Sequence, residues 1–129
     1  MSNTIVDTLA ELRSKPTEQF RSKPLVSSND VAEEKVWTTY HEAVATVREV
    51  WGEPELGPTG SAYEGPGWRA GYKGDCPSPD ELFRQLYCQA LRIGWWKREG
   101  FVHAVMVTGH DANTLQLLQL AVAEARKEV

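Results

Sequence analysis

Two places in this chain carry residue types that chemistry needs. The first is Thr108-Gly109-His110-Asp111-Ala112-Asn113, where a predicted strand runs into a predicted helix. Such junctions gather free backbone N–H groups, so His110 is a candidate general base or ligand there, with Asp111 as its orienting carboxylate. A plainer account carries more weight: Asp111 or Asn113 caps the helix, Gly109 permits the turn, and His110 is a loop residue in water. The second is Cys76, expected to be accessible just before the helix start at Ser78. A thiol nucleophile needs a base within reach, and spacing alone does not bring His110 to it.

Cys76, Cys88, His41, His103 and His110 are ligand types that zinc accepts. Their spacing argues against a site. Eleven residues separate the cysteines and six separate the last two histidines, with no Cys-x-x-Cys and no His-Glu-x-x-His. Neither a metal nor a cofactor is expected. Cys88, beside Tyr87 in a predicted helix, reads as a small buried thiol.

Five tryptophans in 129 residues suggest an aromatic surface. Trp37, Trp51 and Trp95 fall at core-facing positions. Trp96, one residue on from Trp95 in a predicted strand, is expected to point the other way, outward, between Arg92 and Arg98. Together with Trp68, Arg69 and Tyr72 it forms a predicted partner-binding set of Trp96, Trp68, Tyr72, Arg98 and Arg69, the residue mix enriched at protein interfaces.

The elements that must position these groups are read from periodicity. Leu91 to Arg98 and Phe101 to Gly109 predict a hairpin, 91–98/101–109, around a Glu99-Gly100 turn. The first strand alternates apolar and polar positions. The second is apolar on both faces and is expected to be interior. Apolar steps of three and four from Trp37 to Trp51 predict a helix over 31–51 starting at an Asp30–Glu33 capping pair. Ser78-Pro79-Asp80-Glu81 opens another over 79–90. A third is expected over 112–127, from the rows Leu115, Leu118, Val122 and Leu117, Leu120.

Six of the ten glycines lie between Gly57 and Gly74, with Pro58 and Pro66. This stretch lacks the Gly-Lys-Ser/Thr ending of a phosphate loop. Irregular backbone is expected there, with a third strand drawn from 61–73 to support the hairpin. Residues 1–29 read as a flexible arm: a short amphipathic helix over 4–13 from Ile5, Val6, Leu9 and Leu12, then a serine- and proline-containing linker. The fold class is thus α+β, a small antiparallel sheet under helices, in a single domain over 30–129.

Composition excludes several classes. At 41% hydrophobic and 25% charged the chain is an ordinary globular domain. Its net charge of −4 argues against nucleic acid and suits a basic partner. No stretch reads as a secretory signal or a bilayer span, so a cytoplasmic location is expected. The first functional expectation is a protein-binding role, as inhibitor, adaptor or assembly factor, rather than an enzyme. The alternative is a small enzyme or ligand-binding domain with a pocket between the His110-Asp111 corner and the glycine-rich segment. Homodimerisation through a sheet edge is a further expectation.

Overall fold

Glu99 and Gly100 adopt φ of 55° and 81°, positive at both central positions of a two-residue turn, which matches the twist of the strands it joins. It closes the hairpin of β2 (Ala90–Arg98) and β3 (Phe101–Thr108). The computed structural model describes residues 4–14, 21–54, 76–109 and 116–126. Beside the hairpin these form α1 (Thr4–Ser14), β1 (Arg21–Ser27), α2 (Glu33–Trp51), α3 (Glu81–Gln89) and β4 (Leu117–Glu124). The sheet has four strands in the order β1-β4-β3-β2, every neighbour antiparallel. The class is α+β with a small antiparallel sheet.

Both faces of that sheet are covered. One carries α1 and α2, whose Leu9, Leu12, Val36, Tyr40, Val44 and Val47 pack on Val105, Val107, Leu118, Leu120 and Val122. The other carries α3, with Phe83 and Tyr87 against Ile93, Val102, Ala104, Met106 and Ala121. Alternate residues of β3 and β4 therefore serve two separate cores. Near the second core, Gln119 Nε2 donates to Thr108 Oγ1 at 3.0 Å, so this buried amide is partnered.

Three expectations change here. The segment read as a helix over 112–127 contains strand β4, which pairs with β3 from Leu117 to Glu124. Its apolar residues serve both faces, and two flanking strands satisfy its backbone, so pairing overrides any helical preference. Residues 112–115 lie outside the described residues. Residues 21–27, read as linker, form the edge strand β1, where Pro24 costs no ladder bond and sits beside a register shift before Val26. The arm is consequently docked: Leu9 of α1 is fully buried in the first core.

Smaller shifts occur at helix ends. Asp80, not Ser78, caps α3, its Oδ1 accepting from the Phe83 N–H at 2.9 Å, while Ser78 Oγ accepts from the Asp80 N–H at 3.0 Å. Ala32 stands at the N-cap of α2, which has no side-chain cap bond, so the Asp30–Glu33 pair does not act as predicted. The third strand expected from 61–73 lies outside the described residues. No helix among the described residues is long and apolar enough to cross a membrane.

If β4 is the shared central strand, Leu120→Ala should lower the unfolding free energy by about 2–5 kcal/mol in urea titrations. The exposed Leu82→Ala of α3, by contrast, should stay within about 0.5 kcal/mol of the parent.

Candidate functional site

The helix ends and the hairpin turn meet at one edge of the sheet. A single row crosses all four strands there: Trp96 opposes His103, His103 opposes Val122, and Val122 opposes Arg21. One step outward, Arg98 opposes Phe101 and Phe101 opposes Glu124. Because side chains alternate along a strand, the residues of these two rows project toward α1 and α2. Trp51 closes α2 above them, and Arg13 stands in the last turn of α1.

His103 is fully buried at the centre. Its Nε2 lies 3.4 Å from Arg13 Nη1 and its Nδ1 lies 3.4 Å from the Trp96 carbonyl oxygen. A guanidinium only donates, so Nε2 accepts and Nδ1 carries the proton toward that carbonyl. Burial lowers the His103 pKa from 6.5 to about 4, aided by the positive charges of Arg13 and Arg98 and opposed by the Trp96 carbonyl. The ring stays neutral at ordinary pH, with both nitrogens occupied beneath Trp51. It holds the site together and is not placed as a general base.

Aromatic rings cover it. The Trp51 ring meets His103 edge to face at 4.9 Å between centroids and meets Trp96 at 6.3 Å. Cations then lie over the aromatics. The Arg98 guanidinium sits 5.1 Å from the Trp51 ring centroid and that of Arg21 sits 5.2 Å from the Phe101 centroid. Arg21 Nη1 also donates to the Arg13 carbonyl at 2.8 Å, satisfying an acceptor that the end of α1 leaves open. Neither Arg13 nor Arg98 has a carboxylate within ion-pair distance among the described residues. A shallow cleft of about 570 Å³ continues from this surface, lined by Lys97, Arg98, Phe101, Glu124 and Arg126 among others.

The chain matches no family model, no curated protein and no solved structure. Its chemistry must be read from this geometry. Pre-placed guanidinium groups on rigid rings can receive carboxylates or acidic peptide, and the described residues hold no cluster of three His, Cys, Asp or Glu for a metal.

Of the predicted partner-binding set, Arg98 is exposed at this site. Trp96 is not: it is 3% exposed, and its Nε1 donates to the Gly52 carbonyl at 2.8 Å. The expectation of an outward Trp96 assumed one dry face, whereas helices cover both, so Trp96 lies beneath the end of α2 and Trp95 packs toward α3. Trp68, Arg69 and Tyr72 lie outside the described residues, as do His110 and Asp111. Cys76, expected to be accessible, is 1% exposed in the core beneath α3, a poor position for a nucleophile.

Sequence reasoning missed Arg13, Arg21 and Phe101 as candidate site residues, weighed His103 only as a metal ligand and placed Trp51 in the core. One signal was present: His103 stands alone in a strand apolar on both sides, so a partner for its imidazole had to come from elsewhere.

The pH dependence follows from the direction of the His103 shift. Between pH 6.5 and about 4 the unfolded chain binds a proton that the folded chain refuses, so stability rises with pH across that window. The contribution is complete above 6.5 and lost as pH falls to about 4, amounting to about 3 kcal/mol. Urea titrations over this range should therefore show a shallower slope for His103→Gln than for the parent. Equal slopes would remove His103 as the source.

Proposed function

We propose that this chain is a small cytoplasmic binding protein that docks an acidic segment of a protein partner on the surface formed by Arg98, Trp51, Arg21 and Phe101. The observation that carries the reading is Arg98 stacked on the half-buried Trp51. Arginine and tryptophan dominate binding hot spots because both offer large contact area and directed donors. Here their rotamers are held before any partner arrives, which lowers the entropy cost of association.

Local charge also decides the kind of partner. The net charge of −4 suits a basic surface, yet at contact distance the nearest charges prevail over distant ones, which salt screens. At this end Arg21 and Arg98 stand on neighbouring rows beneath Arg13 of α1, joined by Lys97 and Arg126, against Glu99 and Glu124. Such a surface attracts carboxylates. The adjoining cleft has room for a short extended peptide to lie along the hairpin turn.

The neutral, buried His103 supports the same role. It packs beneath Trp51 without a charge of its own, so the charges at this end are those of the surrounding arginines and glutamates.

Capture from the native host, run in parallel with the parent and the exposed-site variant Arg98→Glu, tests the reading. A partner held by the parent should bind Arg98→Glu about 30-fold more weakly, the scale of a hot-spot loss, and should release as salt is raised. Trp51→Leu should weaken the same partner. An identical set of stoichiometric partners for parent and Arg98→Glu would overturn it.

A further inference from the structure

Charge is answered differently at the two ends of the sheet. Away from the hairpin turn lies a small cavity of about 210 Å³, lined by Glu33, Trp37, His41, Arg92 and Gln116, where the Glu33 carboxylate already accepts from Gln116 Nε2 at 2.9 Å. At the hairpin end two opposite charges stand exposed without such an answer, Arg98 closing β2 and Glu124 closing β4. Neither has a counter-ion within ion-pair distance among the described residues.

The sheet sets their separation. Arg98 opposes Phe101 and Phe101 opposes Glu124, so the two are two strand spacings apart, about 10 Å along the row. They do not pair with each other, because the Arg98 guanidinium lies over the Trp51 ring and that of Arg21 lies over Phe101 between them. A cation on a ring uses its flat face and keeps its edge N–H groups for a carboxylate. Both Arg98 and Glu124 line the cleft of about 570 Å³, and the charges around it nearly balance: Lys97, Arg98 and Arg126 against Glu99 and Glu124. A uniformly acidic segment would be attracted at Arg98 and repelled at Glu124. A segment bearing both signs answers each.

We infer that the docked segment is of mixed charge, with an acid on Arg98 and a lysine or arginine on Glu124, so that Glu124 decides which acidic segments this surface accepts. The inference rests on the reading that Arg98 receives a carboxylate, and it adds the second half of the recognition. In an extended segment residues i and i+2 face the same way, about 7 Å apart, while neighbours face opposite ways. The flexible stem of a lysine covers the remaining distance. The motif is therefore an acid, an uncharged residue and a base in succession.

The test is an NMR titration of the full chain with two acetylated and amidated peptides, following the Trp51 indole N–H. One is Asp-Leu-Lys-Leu-Asp, which presents the motif in either chain direction, and the other is Asp-Leu-Asp-Leu-Asp, which is the more acidic. The parent should bind the lysine peptide about fivefold more tightly, the upper range for one exposed ion pair, although general attraction to cations would favour the other. Glu124→Lys, at an exposed position, should reverse that preference, and Glu124→Gln should reduce it. Arg98→Glu should weaken both peptides. Equal or tighter binding of the all-acidic peptide by the parent would overturn the role of Glu124 and leave the acidic-segment reading standing, as would a preference unchanged in Glu124→Lys. If neither peptide shifts the signal saturably, the two fall together.

Discussion

Two adjacent strands, β3 and β4, are buried on both faces, and the rest of the molecule is arranged around that constraint. A strand with one wet face needs a single cover, whereas these need two, so helices from both halves of the chain are drawn onto the sheet. The same demand brings in β1. Without it, β4 would present an apolar edge, and the edge strand that shields it carries Lys23 and Pro24, residues that discourage further pairing. The consequence for function is that large aromatics are not available merely because they lie on a strand. Trp95 and Trp96 point to opposite faces, and both find cover.

Covering both faces leaves few places where polar chemistry reaches the surface, and these are the ends of the rows. At the hairpin end, α1 and α2 both terminate, so their C-terminal carbonyls collect cations. Arg21 answers one carbonyl directly, Arg13 turns to His103, and Arg98 lies over Trp51. Cations at helix C-termini are ordinary. Their placement over rings that are themselves fixed by burial is what converts a capping arrangement into a surface with directed donors. His103 matters here because its depressed pKa keeps a third positive charge out of the space beneath Trp51.

Local signals in the sequence were enough for the α+β class, the Glu99-Gly100 turn and the helix that begins after Asp80. Turn chemistry and caps depend on a few neighbouring residues, so they are legible in one chain. Leu117 to Ala123 was not. Leu-Leu-Gln-Leu-Ala-Val-Ala is apolar at nearly every position, which satisfies a helical row and a two-faced strand equally, and only the neighbouring strands choose. Residues 21–27 failed for the opposite reason. Serines and Pro24 look like linker, and their role as an edge emerges only when β4 needs a partner. Arg98 was legible as an exposed cation beside aromatic residues, whereas Arg13 and Arg21 come from distant segments that the fold brings to His103.

Helix α2 connects the two ends, presenting Trp37 to the small cavity and Trp51 to the cationic surface. Fourteen residues of helix separate these rings, about 21 Å along the axis. Between them Val36, Tyr40, Val44 and Val47 are locked into the first core, so any signal from one end to the other would require that packed row to slide. Dense cores resist such shifts, and Gly52, with φ of 84° and its N–H bonded to the Arg48 carbonyl, ends the helix rigidly. Groups this far apart with no shared partner behave additively. The two ends are therefore energetically independent, and α2 acts as a strut that holds each in place without carrying a message between them.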